Sequence, residues 1–407
     1  MTTYNSLLKD DCGQYCVNFA SSIRRDTIKH CSRREVLRGG TVAAAASVSL
    51  APLAAVLAPT PAAAADIRPV AEWERLFLGA WNSDHVLHLP RSLSNNSRVY
   101  YDLAYGIDGN AAMFQATGQT RYLDRALLYV ENVIAGARAS SSFPRSRFKD
   151  RYLGWVCKEA GAYEGQEVVL YEIYMWRYVT RLLRLIRGSA TVWANAGYRA
   201  RFQRILAFTE ANIFDKWYAR GPNSYVYRSV THITAHFGYI ALDLSRLTSD
   251  AGRRARCLAV FNNVNHSLPN RPGRSLRTQL IAHPLVSGGL FWDDDWGVFS
   301  RPGGDTAHAN GVVSFIVECQ ELGVEWTRAD AAKLIATLNG AIWRSGSLTA
   351  TFLDGSGGYN GWLNDGWVKL GRYSAALQKR FETYQRARNC QLWGNCALNA
   401  RLLLSGN

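Results

Sequence analysis

From about residue 100 onward, apolar side chains return every three or four positions in paired stretches, and alternation with a period of two is nearly absent. That spacing belongs to amphipathic helices and leaves little from which a sheet could be built. The pattern predicts a first helix near 70–81, then pairs at 100–117 with 121–137 and 165–187 with 193–212. Further pairs fall at 229–247 with 251–266, 305–322 with 328–343, and 370–387 with 391–404. Short glycine-bearing turns such as Gly118-Gln119-Thr120 make them helical hairpins. The expected fold is all-α: an (α/α) toroid of five to six antiparallel hairpins, with an incomplete barrel allowed. A stacked solenoid is the alternative, but no fixed repeat period is visible.

The loops are uneven. Those at 143–165, 269–304 and 344–371 carry most of the glycine and tryptophan. In a toroid they gather on one face, where a cleft is expected. The first hairpin has a small-residue helix, then Thr117-Gly118, then Arg121-Tyr122-Leu123-Asp124-Arg125-Ala126. It resembles hairpins of the six-hairpin glycosidase and polysaccharide lyase superfamily. That resemblance rests on one hairpin and implies an architecture and a carbohydrate substrate, not one activity.

The first 65 residues read differently. Ser32-Arg33-Arg34-Glu35-Val36-Leu37-Arg38 precedes an Ala/Val/Leu run and then Pro61 to Ala65. Charged, apolar and small-residue regions in that order make a cleavable leader, and the paired arginines resemble a twin-arginine export signal. The expectation is a leader over 1–65, a catalytic domain over 66–407, the twin-arginine machinery as a partner, and a periplasmic or extracellular location. No cysteine marks a lipid anchor at the cleavage point, and no later stretch reads as a stable membrane anchor. Past the leader Cys157, Cys257, Cys319, Cys390 and Cys396 remain, an odd number; Cys390 and Cys396 are close enough in sequence to pair in an oxidising compartment. The leader holds seven of the 47 Lys and Arg and four of the 32 Asp and Glu. The remainder has 40 basic against 28 acidic side chains, a net charge of +12. That balance suits an acidic polysaccharide; scattered arginines and the lack of a recognised module speak against nucleic acid.

Chemistry concentrates in 291–313, FWDDDWGVFSRPGGDTAHANGVV. Asp305, after two glycines, reads as a helix N-cap, with His308 and Asn310 in the first turns. On 229–247 the residues His232, His236, Tyr239 and Asp243 line one flank of an apolar stripe, with Arg228 at its start. Imidazole, phenol, amide and guanidinium together suit β-elimination on a uronate: donors hold the developing enediolate while a neutral His or Tyr moves the proton. The first reading is therefore a lyase with His236, Tyr239, His308, Asn310 and Arg228 as catalytic candidates. His232, Glu164, Trp292, Asp305, Tyr359, Trp362 and Trp367 are its substrate-binding candidates.

The rival is an inverting glycoside hydrolase, with carboxylates from Glu164, Glu167, Glu172, the Asp293–Asp295 run, Asp354 or Asp365; a uronate epimerase would use the same fold. A non-catalytic polysaccharide-binding envelope protein would keep the aromatic loops without a poised His/Tyr stripe. No cofactor is required. Two histidines four apart can share a metal, but the sequence supplies no third ligand nearby. Asp293 and Asp295 could hold a structural cation such as calcium.

Overall fold

The structure is a computed structural model that describes residues 66–386 and 388–406. The leader, with Arg33 and Arg34, lies outside the described residues. The chain starts with α1 (Val70–Leu93), α2 (Ser97–Thr117) and α3 (Thr120–Ala135). Next come α4 (Val169–Gly188), α5 (Ala196–Thr209), α6 (Thr231–Leu247) and α7 (Ala251–His266). Then follow α8 (Thr306–Glu321), α9 (Arg328–Thr337), a 3-10 segment (Trp367–Tyr373), α10 (Ala375–Glu382) and α11 (Cys390–Leu404).

Their neighbours define the architecture. α2 packs on α4, α4 on α6, α6 on α8, α8 on the 3-10 segment, that segment on α11, and α11 back on α2. The closing contact makes a complete ring of six inner segments and excludes an open solenoid. The remaining long helices form an outer layer: α5 lies against α4, α7 against α6, and α10 against both the 3-10 segment and α11. Burial separates the layers. α6 buries 15 of its 17 residues, whereas α7 buries five of 16 and shows water the rest. A helix apolar nearly all round is stable only when surrounded. The fold is an (α/α) toroid.

Each inner segment is entered from an outer helix, so all six run the same way and their N-termini share one rim. The three glycine- and tryptophan-rich loops lie there and cap those ends. Val156 O accepts from Ser97 N (3.1 Å), Asp294 O from Thr231 N (2.8 Å) and Thr351 O from Thr306 N (2.7 Å). Each bond satisfies a donor that a helix start leaves without an intrahelical partner. The three two-stranded pairs among the described residues also belong to these loops.

Differences from the sequence reading have local causes. α1 runs through Pro90 to Leu93, because Trp73, Phe77, His88 and Ser92 all turn inward. The stretch 370–387 splits into the 3-10 segment and α10, so the fifth inner segment is short. Cys390 and Cys396 do not pair: both sit on α11, and six residues of helix separate them by about 9 Å of rise. Among the described residues no helix is long and apolar enough to cross a membrane.

Candidate active site

Asp305 does cap α8: one carboxylate oxygen accepts from His308 N at 2.9 Å, and the other contacts His308 Nδ1. Asp294 arrives from the facing loop. Its Oδ1 lies 3.2 Å from His232 Nδ1 and its Oδ2 lies 3.7 Å from His308 Nδ1. The His232 and His308 rings stack with centroids 4.4 Å apart. One donor atom each from Asp294, Asp305 and His308 falls within 4.8 Å of the other two. Two helices and a loop therefore deliver two carboxylates and one imidazole to one point on the rim, with a second imidazole, His232, against Asp294. The side chains of Asp294 and Asp305 keep 21 % and 22 % of their surface exposed, so solvent reaches it.

Gly311 lets α8 approach α6 this closely. A Cβ there would come within 2.6 Å of His236 Cε1 and 3.1 Å of His232 Cβ. His236 is buried behind His232, edge-on to Tyr174 at 5.2 Å, and neither ring nitrogen has a hydrogen-bond partner. Burial, with Arg177 and the other two histidines nearby, holds its pKa well below the usual imidazole range, so the ring is neutral. Burial works against ionising Asp305, but contact with His308 outweighs it and keeps the carboxyl below its ordinary value. Asp293, half-buried on the same loop, is pushed up by burial and then by its Asp294 and Asp295 neighbours. Aromatic rings continue the rim. Tyr101 stacks on Tyr174 at 3.7 Å, Tyr105 meets Trp362 at 5.8 Å, and Tyr359 is exposed beyond them.

Further along the ring axis lies a second charged cluster, buried except for Arg184 at its edge. Asp365 accepts from Tyr174 at 2.9 Å and contacts Arg177 and the Tyr178 hydroxyl. Lys369 Nζ binds both oxygens of Asp108 at 2.9 Å, and Gln391 and Asn395 each donate to Asp108 at 3.0 Å. Glu318 takes Arg181 (3.3 Å), Arg184 and the Tyr239 hydroxyl (2.7 Å), while Arg184 also reaches Asp243 at 3.2 Å. Buried charges survive when paired in this way. This axial plug closes the middle of the ring.

The structure thus divides the residues singled out from the sequence. It unites His232, His236, Asp305 and His308 on the rim. Tyr239 is not with them: it belongs to the plug, where burial and Glu318 hold its hydroxyl well above the usual range. Asn310 sits near the rim, but its amide nitrogen donates to Trp362 O (2.7 Å) and its oxygen accepts from Gly366 N (2.7 Å) and Trp367 N (3.1 Å), which pins the last loop to α8. Trp292 and Trp367 are completely buried against each other, 6.1 Å apart, as core and not as sugar platforms. Arg228 is buried at the start of α6, its carbonyl bonded to Trp296 Nε1 at 2.9 Å.

Most of the carboxylates are tied up elsewhere. Glu164 forms an exposed pair with Arg145 at 3.0 Å. Glu172 is held by Lys216 (2.8 Å) and Trp217 (2.7 Å), Glu167 by Arg220 (3.3 Å), and Asp354 by Arg301 (2.8 Å). Among the described residues the convergence of three metal-ligating groups is at Asp294, and includes neither Asp293 nor Asp295. Within the aspartate run, alternation along the chain was the one available signal that the middle residue faces a different way from its neighbours. Nothing local in the sequence marks Tyr101 or Tyr174.

The protein so defined is an (α/α) toroid with a carboxylate–imidazole cluster on an aromatic rim. No family model and no curated protein matches the sequence. Two solved structures do: inactivated variants of the alpha-1,6-mannanase GH76A of Salegentibacter sp. HEL1_6. One, in complex with alpha-1,6-mannotetrose, has 12 % identity and a TM-score of 0.41 over 75 % of this chain and 89 % of that one. The other, in complex with alpha-1,6-mannotriose, has 10 % identity and a TM-score of 0.40 over 76 % and 90 %. Likeness this loose says nothing about the chemistry of this chain.

Proposed function

We propose that the protein is a glycoside hydrolase that cleaves a polysaccharide at the rim, with Asp305 and His308 at the reaction centre. The observation that carries this reading is the convergence of Asp294 and Asp305 on one imidazole at the solvent-reached end of the ring. Two carboxylates there oppose a uronate carboxylate, which β-elimination must neutralise before the neighbouring proton becomes acidic. The amide that would help, Asn310, is spent on backbone. Hydrolysis instead wants an ionised carboxylate to take a proton from water and a second acid to give one to the leaving oxygen. Asp305 with His308 fits the first role, and Asp294, the second carboxylate at the same point, is the candidate for the second. Tyr101, Tyr105, Trp362 and Tyr359 offer faces to sugar rings.

The net charge of +12 still favours a polymer with acidic groups away from the cleaved bond. Export through the twin-arginine route belongs to the same reading, and Arg33→Lys with Arg34→Lys should trap the uncleaved chain in the cytoplasm. The enzymatic test is a panel of neutral and acidic polysaccharides followed for reducing ends and for ultraviolet absorbance together. Reducing ends without absorbance are expected; an absorbing, unsaturated product would return the protein to the lyases.

A further inference from the structure

We propose that the rim cluster is a binding site for one divalent transition-metal ion of the zinc class, ligated by Asp294, Asp305 and His308, with the fourth position open to water. A four-coordinate zinc with ligand atoms about 2.0–2.2 Å away sets those atoms about 3.3–3.5 Å from one another. Asp294 Oδ2 lies 3.7 Å from His308 Nδ1, near that spacing, Asp305 Oδ2 closes on the same nitrogen, and one donor atom from each of the three lies within 4.8 Å of the other two. His232 stands beside them, its Nδ1 3.2 Å from Asp294 Oδ1, the oxygen turned away from His308.

The donors are held from behind. Asp305 is fixed by its cap bond to His308 N, and Asp294 by its backbone bond to Thr231 N. An independent observation comes from His236. It is 1 % exposed, lies next to His232 with centroids 5.9 Å apart, and has two ring nitrogens without a partner. A buried polar ring is ordinarily hydrogen-bonded, and a water carried by an ion in the cluster would supply a partner. The donor set also selects the ion. Imidazole nitrogens suit zinc and its neighbours, whereas calcium takes six to eight oxygens.

Metal binding stands apart from the hydrolase reading, but if both hold they join. An ion here lowers the pKa of a bound water and makes it a nucleophile near neutral pH. One water is consumed: its hydroxyl goes to the anomeric carbon, the glycosidic C–O bond breaks, and a proton passes to the leaving oxygen.

The test is calorimetric titration of the full exported chain, after removal of metals with a chelator, using zinc, manganese and calcium chlorides separately. One zinc per chain is expected, with affinity weakened roughly ten-fold or more in Asp294→Asn, His308→Ala and Asp305→Asn, since even outer-shell changes cost about ten- to a hundred-fold. Asp294 lies on a loop and Asn caps a helix as well as Asp, so two of the three variants keep the fold; a visible spectrum of the cobalt form gives a second readout of nitrogen and oxygen ligands. Absence of zinc binding, preference for calcium, or affinity unchanged in all three variants would overturn the inference. Zinc binding without hydrolysis of any polysaccharide would leave the site and remove the hydrolase; full hydrolysis by a chain that binds no zinc would do the reverse.

Discussion

His236 and Asp243 lie on the same flank of α6, seven residues and about 10 Å of rise apart, in opposite surroundings. At the rim, His236 has two ring nitrogens without partners, and Asp294 and Asp305 keep about a fifth of their surface in water. In the plug, Asp243 faces Arg184 at 3.2 Å, and Glu318 beside it is shared by two arginines and a tyrosine. Charges that neutralise one another hold a shape, even where single buried atoms such as Arg177 Nη1 and Asp243 Oδ2 have no hydrogen-bond partner. Carboxylates that keep contact with solvent can hold something else. A single polar flank can therefore serve structure at one end and chemistry at the other.

The sharpest way to break that contrast is to exchange the effects. Removing Asp365 strands the Arg177 guanidinium in the closed interior, and breaking a buried pair from one side costs about 3–5 kcal/mol. Asp365→Ala should lose that much in urea unfolding; a loss under about 1 kcal/mol would mean that the plug is not structural. Asp305→Asn should do the opposite. Asparagine caps as well as aspartate, so unfolding should move by less than about 0.5 kcal/mol, while polysaccharide cleavage falls about a hundred-fold or more. Unimpaired cleavage by that variant would place the chemistry elsewhere.

The plug also has a pH signature. Burial, then the adjacent Glu318 charge, pushes Asp243 up to about 7. An unfolded aspartate titrates near 3.9. Between about pH 4 and 7 the folded chain therefore keeps a proton that the unfolded chain has released, and this group makes stability fall as pH rises through that window. In Asp243→Asn, urea midpoints across the window should fall less steeply than in the unmodified protein; an identical slope would contradict the assignment.

Smaller effects belong to the outer rim. Tyr359→Ala, at a residue 58 % exposed, should weaken polysaccharide binding several-fold, by roughly 1 kcal/mol on the scale of an aromatic contact, with no change in melting. If the net charge contributes to binding, affinity for an acidic polymer should decline as salt rises, a decline that a neutral polymer would not share.

Much of this organisation was legible in the sequence. Helical spacing indicated the hairpins and hence the toroid; the layers show in the structure, where α6 buries 15 of its 17 residues and α7 five of 16. The Asp305 cap was legible because a cap is a local event, a side chain bonded three residues on. His232, His236 and His308 stood out by type, and the structure brings them together. What stayed hidden depends on distance along the chain. Asp365 meets Arg177 from 188 positions along the chain, and no local pattern records such a pairing. Tyr239 shared its flank with His236, yet the rise of the helix carries it into the plug. Trp292 and Trp367 looked like platforms because they sit in glycine-rich loops, but those loops fold inward to cap α6 and α8, and the indoles meet beneath them.

The most direct test of the account is cleavage of the best polysaccharide substrate in water labelled with heavy oxygen. Hydrolysis at the rim predicts one labelled oxygen on each new reducing end, and its loss together with product in Asp305→Asn. Products without label, ending in an unsaturated sugar, would contradict it, because β-elimination breaks the linkage on the other side of its oxygen, at C4 of the uronate, without consuming water.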